Sequence, residues 1–427
     1  MLDIKIIREN PEGIRKNLSR RNNPEILRMF DDLLSYDKEW RRLYGESNLL
    51  REKRNKTTQE VSRLKKQGLD ASAMIREAAE IPKQLKKVEE EMNVFRGKMD
   101  GVLMQLPNIL DDSVPYGKDD SDNVTIRTWG EPPAFSFRPK DHIDIAMGLD
   151  LIDIERGAKV AGARFYYLKR DLVRLNYAVI RYGLDFMAGR GFVPFQPPYM
   201  MKRKIIEGAV ALSDFEDTIY KIEGEDLFLL ATAEHALLGI HADEILDGKE
   251  LPFRYCGISP CFRKEAGAHG RDTKGIFRVH QFEKVEQFTF CKPDESVEEH
   301  ELLIKNAEDF FQSLKLPYRV VNVCTGDLGT VAAKKYDLEV WLPGQDTYRE
   351  AVSCSNCTSY QAVRSNVRFR DRTDEPTSWV HTLNSTLVAT ERALVAIMEN
   401  YQNEEGTVTI PEALVDYMQG MEKIKPK

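Results

Sequence analysis

Residues Phe262 to Phe290 read FRKEAGAHGRDTKGIFRVHQFEKVEQFTF, and this is the most informative stretch of the chain. Two runs with alternating apolar residues flank a charged loop, a pattern that predicts two β-strands with a long connection. The loop carries three glycines, Gly267, Gly270 and Gly275. Arg263 offers a planar fork that suits a phosphate, and Glu265 offers acceptors that suit an exocyclic amine. The pattern favours a nucleoside triphosphate site, and an exposed hairpin with a solvated charged tip is the alternative.

Length and composition limit the class of protein. At 427 residues the chain exceeds one typical domain, and 42% hydrophobic with 31% charged residues excludes wholesale disorder. No apolar run reaches the roughly 18 to 20 residues that a membrane span requires, and the N-terminus lacks a secretory pattern. Six cysteines in so long a chain favour reduced thiols. We therefore expect a cytoplasmic protein with a large core, a smaller module and no membrane partner.

The first quarter of the chain carries two heptad seams, with residues at alternating steps of four and three. The first seam comprises Tyr36, Trp40, Leu43, Ser47, Leu50, Arg54, Thr57, Val61 and Leu64. The second comprises Ile81, Leu85, Val88, Met92, Phe95, Met99, Val102 and Leu106. With a turn near Gly68, they predict an antiparallel helical hairpin over about residues 27–106, inside an N-terminal domain 1–110.

Positive charge is concentrated on the first arm of this hairpin. From Lys38 to Lys66 ten basic residues stand against four acidic ones, although the whole chain has a net charge of -7. This asymmetry suits a phosphate backbone, and a solvated coiled-coil face is the alternative. The candidate contacts are Arg51, Arg54, Lys56, Arg63, Lys65 and Lys66.

Residues 111–140 are rich in proline and aspartate and predict a linker. Beyond it, residues 141–427 mix helical patterns such as Asp171–Gly189 with β-runs such as Tyr336–Trp341, without regular βαβ alternation. This predicts an α+β fold with an antiparallel sheet flanked by helices. The chain contains neither a GxGxxG nor a P-loop sequence, so neither of those sites explains a bound nucleotide.

Two short clusters have residue types that suit chemistry. Thr232 and Glu234 follow an apolar run and could bind an ammonium group; the alternative is that they cap and begin a helix. Glu350 and Ser353 offer oxygen ligands of the kind that Mg²⁺ prefers. These pairs are candidates for substrate and metal binding.

Arg392 and a cysteine pair are harder to interpret from spacing. Arg392 lies in a predicted helix, where a surface ion pair with Glu391 or Glu399 is the alternative to a functional role. Cys354 and Cys357 form a lone CxxC without a second pair, so we expect buried thiols and no zinc.

Taken together, these segments resemble the class II aminoacyl-tRNA synthetases, and within them the seryl-tRNA synthetase family of the common bacterial type. Arg190–Met200 (RGFVPFQPPYM), Phe262–Glu286 and Leu383–Gln402 (LNSTLVATERALVAIMENYQ) are similar to the three class motifs. The TAE sequence from Thr232 and SCSNCTSYQAVRSNVRFR from Ser353 are more typical of the serine family. The resemblance spans nearly the whole chain and implies a class II sheet with an N-terminal coiled-coil arm.

The resemblance also implies a role for each matching residue. ATP would contact Arg263, Glu265, Arg278, Val279, Phe282, Glu350, Ser353 and Arg392. L-serine would contact Thr232, Glu234, Glu286 and Thr386, and Mg²⁺ would bind Glu350 and Ser353. Catalysis would depend on Arg263, Glu350 and Arg392.

The implied reaction is ATP-dependent activation of L-serine to seryl-adenylate, then transfer to the 3′ end of tRNA(Ser), with tRNA(Sec) as a further candidate. The arm would grip the long variable arm of the tRNA, and a homodimer would form around Pro197 and Pro198. The alternatives are a catalytically silent tRNA-binding paralogue and a ligase that charges a carrier protein. The chain departs from the family where the third motif usually has glycines, since it has Asn384, Ser385 and Thr386.

Overall fold

The computed structural model describes residues 1–210, 218–265 and 275–426. Gly267 and Gly270 of the predicted nucleotide loop lie outside the described residues. The chain divides into two compact units, Asn10–Leu106 and the combination of Met1–Glu9 with Pro107–Lys427. No helix within the described ranges is long and apolar enough to cross a membrane.

The smaller unit is a helical hairpin. A short helix, Pro11–Ser19, precedes two long helices, Pro24–Lys66 and Ser72–Leu103. The Asn23 side chain caps the first long helix by accepting a backbone N–H at 2.9 Å. The connection includes Gly68, whose φ of +70° is the left-handed conformation that glycine adopts without strain.

The predicted seams face each other along the two long helices. Their buried residues include Leu43, Ser47 and Thr57 on the first helix and Ile81, Leu85, Val88 and Met99 on the second. Arg54 occupies a seam position but is exposed, because a buried unpaired guanidinium would lose its hydration. Two ion pairs join the helices, Arg51 to Glu89 at 2.8 Å and Lys53 to Glu77 at 2.6 Å.

The larger unit is built on an eight-stranded sheet. Its strands are β1 (Val124–Trp129), β2 (Val193–Phe195), β3 (Phe253–Phe262), β4 (Gln281–Cys291), β5 (Tyr318–Asn322), β6 (Lys334–Leu342), β7 (Thr347–Asn356) and β8 (His381–Ala389). Across the sheet the order is β1, β5, β6, β7, β8, β4, β3, β2. All neighbours are antiparallel except β3 and β2, which are parallel. The predicted α+β fold with an antiparallel sheet is confirmed.

The prediction of a linker over residues 111–140 is wrong for part of that segment. Val124–Trp129 forms β1 and pairs with β5 at an edge of the sheet. Most side chains of β1 are exposed, so the run needs few apolar residues and gives a weak sequence signal. The neighbouring prolines and aspartates further hide it.

Helices flank the sheet, and three long ones contribute most of the helical residues in its main core: Arg170–Ala188, Ser296–Ser313 and Thr390–Asn400. The other helices are Ile4–Glu9, His142–Gly148, Ile154–Ala161, Arg203–Ala209, Ala233–Ile240, Tyr360–Ser365 and Glu412–Val415, with 3₁₀ turns at Asp120–Asp122 and Asp416–Met418. Short strand pairs join Ile152–Asp153 to Tyr167–Leu168, Met200–Lys202 to Leu227–Leu229 and Val408–Thr409 to Lys423–Ile424. A three-stranded sheet contains Ile245–Asp247, Arg368–Arg370 and Ser378–Trp379.

Candidate active site

One face of the central strands lines a cavity of about 360 Å³. All twelve residues that the resemblance assigns to ATP or serine lie in its wall: Thr232, Glu234, Arg263, Glu265, Arg278, Val279, Phe282, Glu286, Glu350, Ser353, Thr386 and Arg392. They lie on β4, β7 and β8, in the segments between β3 and β4, and at the starts of two helices. The structure brings the predicted site together, and the individual roles remain predictions.

Arg263 follows directly on the end of β3. Its Nε donates to the Ala231 carbonyl at 3.2 Å, and its guanidinium carbon lies 5.1 Å from the centre of the Phe282 ring. The hydrogen bond and the ring orient the planar fork, which leaves its terminal N–H groups to bind an anion.

Glu265 and Arg278 contact each other across the cavity wall. Arg278 Nη1 donates to Glu265 Oε2 at 3.2 Å. Glu265 has a φ of +50°, a left-handed conformation that is uncommon and costly for a residue other than glycine. The resemblance assigns Glu265 to the adenine and Arg278 to the outer phosphates. The residues proposed for these two ends of ATP are therefore in direct contact.

Arg392 binds Glu350 through two contacts. Its Nη1 donates to the Glu350 carbonyl at 2.8 Å and to Glu350 Oε1 at 3.0 Å, and its guanidinium lies 5.2 Å from the Phe277 ring centre. The alternative of an ion pair with Glu391 or Glu399 is wrong, because both of those carboxylates are buried and bonded to other groups. Arg392 is therefore held at the cavity rather than on the outer surface.

Cations around Glu350 keep its carboxyl ionised. Desolvation in the cavity opposes ionisation, but the charges of Arg392, Lys335 and Arg263 outweigh it and lower the pKa of Glu350. Lys335 lies 3.2 Å from Asp337 Oδ2, and burial raises the pKa of Asp337 to about 7. The cavity wall therefore offers an ionised carboxylate at neutral pH.

A β-bulge brings Glu350 and Ser353 to the same side of β7. Residues three apart in a regular strand point to opposite faces. In the pairing of β7 with β6, Glu350 and Val352 have partners and Ala351 has none. This extra residue shifts the alternation of side chains by one position. Glu350 and Ser353 then both line the cavity and together present a carboxylate and a hydroxyl. Across the described ranges, no group of three or more His, Cys, Asp or Glu side chains is arranged to hold a metal.

Thr232 and Glu234 lie at the start of helix Ala233–Ile240. Thr232 Oγ1 accepts the Glu234 N–H at 3.4 Å, so the predicted capping role of Thr232 is real and coexists with its place in the cavity wall. Gln361 Nε2 donates to Glu234 Oε1 at 2.7 Å. Burial, followed by the negative charge of Glu286, raises the pKa of Glu234 to about 7, and the Gln361 bond opposes that rise.

Two side chains contact the carboxylate of Glu286. Lys284 Nζ lies 2.6 Å from Glu286 Oε2, and Thr386 Oγ1 donates to the same oxygen at 3.2 Å. Glu286 and Thr386 are directly opposite on β4 and β8, which explains their contact. This end of the cavity therefore holds two carboxylates and one buried ammonium.

Sequence reasoning missed several residues around the cavity. Lys284 lies two positions from both Phe282 and Glu286 on β4, so the alternation of that strand carried enough signal to find it. Gln361 gave no such signal, since its contacts come from distant parts of the chain. Glu391 also lines the cavity, where burial raises its pKa to about 8 and Tyr166 donates to it at 2.9 Å.

The glycine-poor third motif places a polar side chain in the wall. Asn384 lines the cavity, and its Nδ2 donates to Cys357 Sγ at 3.5 Å. Cys354 and Cys357 are buried free thiols, as expected, and burial raises the pKa of both. They pack as small apolar groups beside the site.

Comparison with known proteins agrees with this architecture. Residues 218–401 match the family described as "tRNA synthetase class II core domain (G, H, P, S and T)", and residues 1–110 match "Seryl-tRNA synthetase N-terminal domain". A serine–tRNA ligase from Methanocella arvoryzae is 53% identical over 99% of this chain and 100% of its own length. One from Pyrococcus horikoshii is 52% identical over 100% of this chain and 98% of its own.

Two solved structures share the fold over the whole chain. A crystal structure of seryl-tRNA synthetase from Pyrococcus horikoshii complexed with ATP has a TM-score of 0.97 at 51% identity and covers 100% of both chains. A cytoplasmic serine–tRNA ligase from Naegleria fowleri in complex with AMP has a TM-score of 0.91 at 38% identity, covering 100% of this chain and 99% of its own. The curated relatives named above are archaeal, so the expectation of the common bacterial type is not confirmed. The chain belongs to the seryl-tRNA synthetase family.

Proposed function

We propose that this chain activates L-serine with ATP to form seryl-adenylate and transfers the seryl group to the 3′ end of tRNA(Ser). The observation that carries the proposal is the single cavity lined by all twelve predicted ATP and serine residues. Full-length similarity to serine–tRNA ligases, and to a seryl-tRNA synthetase complexed with ATP, supports it. No observation favours a silent paralogue or a carrier-protein ligase.

Activation needs positioning and charge neutralisation more than proton transfer. The serine carboxylate is already a nucleophile, and it attacks the α-phosphorus while pyrophosphate leaves. Arg263, oriented by Ala231 and Phe282, is placed to stabilise the charge that develops on the α-phosphate. A hydroxyl of the terminal adenosine of the tRNA then attacks the carbonyl carbon of the adenylate, so that the seryl ester forms, the acyl–phosphate bond breaks and AMP leaves, while the hydroxyl gives up its proton.

The contact between Glu265 and Arg278 constrains the shape of bound ATP. Glu265 is assigned to the adenine amine and Arg278 to the outer phosphates, yet their side chains lie 3.2 Å apart. Both roles can hold only if the triphosphate folds back toward the base. Arg392, which binds Glu350, would contact the outer phosphates as well.

The serine end has the charge that an amino acid ammonium requires. Lys284 pairs with Glu286, so the ionised form of Glu234 would supply the negative charge for the ammonium group. Thr386 and Thr232 add hydroxyl groups to the wall. Alanine lacks the hydroxyl that these polar groups would bind, so it leaves one of them without a partner and binds poorly.

Glu350 and Ser353 suit a Mg²⁺ ion that is coordinated by only one or two protein oxygens. Mg²⁺ commonly binds one or two protein oxygens and completes its coordination with water and phosphate oxygens. The bulge at Ala351 places both oxygen groups on the cavity side, and the Glu350 carboxyl is ionised. A bound ion would supply positive charge for the phosphates.

The N-terminal domain 1–110 is proposed to bind the tRNA, and residues 141–427 to carry the chemistry. Of the six predicted contacts, Arg51, Lys56 and Arg63 form ion pairs within the hairpin. Arg54, Lys65 and Lys66 have no ion pair with any residue that the structure describes, and they lie toward the turn at Gly68. We propose these three as the main phosphate contacts for tRNA(Ser), with tRNA(Sec) as a further candidate.

A homodimer through the region around Pro197 and Pro198 is part of the proposal. Strand β2 lies at an edge of the sheet, and Val193 in this strand and Met200 a few residues after it expose about half of their surface. An exposed strand edge with apolar side chains suits pairing with a second copy. We place the activity in the cytoplasm, where the buried free thiols would stay reduced.

Charging of purified transcripts with labelled serine tests the proposal. tRNA(Ser), tRNA(Ser) without its long variable arm and tRNA(Sec) are compared in one assay. Intact tRNA(Ser) should accept serine and the shortened transcript should not, because the hairpin would lose its target. Equal charging of both transcripts would refute the role of the hairpin, and no charging at all would refute the proposed reaction.

A further inference from the structure

Gln361 lies behind the proposed serine pocket without reaching its surface. It is fully buried in helix Tyr360–Ser365, inside the segment from Ser353 that is typical of the serine family. Its Nε2 donates to Glu234 Oε1 at 2.7 Å and to the Ala209 carbonyl at 3.2 Å. Its Oε1 accepts from Thr382 Oγ1 at 2.7 Å.

These partners allow only one orientation of the Gln361 amide. The reversed amide would bring Oε1 against the Ala209 carbonyl and the Glu234 carboxylate, which are both acceptors. The amide is held by three separate elements, since Ala209 ends helix Arg203–Ala209 and Thr382 belongs to β8. Its N–H groups therefore form a fixed pair of donors, one of which points at Glu234.

We propose that Gln361 is a positioning residue for serine recognition, which holds the Glu234 carboxylate in the orientation that binds the ammonium group of serine. The inference rests on the proposed function, because it needs serine in the cavity. Without this bond the Glu234 side chain could adopt other rotamers. Its carboxylate would then face the ammonium group less often, and serine would bind less well.

The groups around Glu234 explain why this bond matters. They are Glu286 and Lys284 on β4, Arg263 after β3, Cys357 after β7 and His235 on the same helix. Burial lowers the pKa of His235 to about 3 and raises that of the Cys357 thiol, so neither supplies charge near neutral pH. Burial and Glu286 disfavour the Glu234 carboxylate, while Gln361, Lys284 and Arg263 favour it. Loss of Gln361 therefore moves Glu234 toward its neutral form, which binds an ammonium group weakly.

Serine-dependent ATP/pyrophosphate exchange across pH 6 to 9 tests this inference with the full-length protein. Gln361→Met removes the donor at similar volume, and Thr382→Val removes the hydroxyl that fixes the amide. Gln287→Met is the matched control, because Gln287 is equally buried, bonds to Leu303 and Asn306, and does not line the cavity.

Gln361→Met should raise the KM for serine about tenfold near pH 7, with the KM for ATP unchanged and partial recovery toward pH 9. Thr382→Val should shift the same profile in the same direction by less. An unchanged serine KM in both variants, or an equal rise in Gln287→Met, would overturn the inference while the wild type stays active. A wild type without serine-dependent exchange would instead overturn the proposed function, and the inference with it.

Discussion

Replacing Glu234 by glutamine should stabilise the protein at alkaline pH and impair serine binding. The substitution keeps the size of the side chain and an oxygen that can accept from Gln361, but it removes a charge from a buried site. Near Glu234 the fold holds a second carboxylate, Glu286, so an ionised Glu234 is tolerated at a cost in stability. In the proposed role of Glu234, the charge is kept because it would bind the ammonium group of serine.

The magnitude follows from the difference between the folded and unfolded states. The pKa of Glu234 rises from its ordinary 4.5 to about 7, so between these pH values the folded state binds more protons than the unfolded state. Stability therefore falls as pH rises through that window, and at about 1.4 kcal/mol per pKa unit the loss is at most about 3 kcal/mol. Below pH 4.5 the carboxyl is protonated in both states, so it no longer changes the free energy of unfolding.

Denaturant unfolding at pH 5 and pH 8 measures this effect. Glu234→Gln and the wild type should have similar midpoints at pH 5, and the variant should be more resistant at pH 8 by up to about 3 kcal/mol. Its kcat/KM for serine should fall about 10- to 100-fold, as expected for a lost bond to a charged group. Glu223→Gln, at an exposed carboxyl, is the control for the change in net charge. A variant that is no more stable than the wild type at pH 8 would show that the ionised Glu234 carboxylate does not destabilise the fold.

Three further predictions concern other parts of the molecule. Arg263→Ala should slow adenylate formation by about 10²-fold or more, since one preorganised donor typically contributes this much, and a loss below tenfold in pre-steady-state kinetics would contradict its role. Deleting Lys38–Gln105 should leave serine activation nearly intact while transfer to tRNA collapses, and equal loss of both activities would contradict the division of labour. The triple variant of Arg54, Lys65 and Lys66 to alanine should make the negative slope of log K against log salt less steep by about 3, if each side chain contacts one phosphate. Here K is the association constant for tRNA. Filter binding between 50 and 200 mM salt would show this, and an unchanged slope would move the contact elsewhere.

Much of this fold could be predicted because its signals are local. The heptad seams of the hairpin and the alternation of β4 are periodic patterns that a single sequence displays. The residues of the nucleotide end cluster within Arg263–Phe282, so one stretch predicted most of them. Thr232 showed that a cap and a cavity residue can be the same side chain, an outcome that spacing alone left open.

The parts that sequence reasoning missed depend on contacts between distant segments. The bulge at Ala351 decides that Glu350 and Ser353 share a side, and no local pattern announces a bulge. Gln361 meets Glu234 across 127 residues of chain, so its role is visible only in three dimensions. β1 was missed for another reason, because an exposed edge strand carries little apolar alternation.

Amino-acid-dependent ATP/pyrophosphate exchange tests the central claim most directly. The purified protein is assayed with Mg²⁺ and with serine, threonine, alanine, proline or no amino acid. We expect exchange with serine and far less with any of the others, because the proposed pocket would bind the ammonium group and pair the hydroxyl group of serine. Exchange driven by a different amino acid would contradict the assignment of the pocket, and no exchange with any of them would contradict the proposed activity itself.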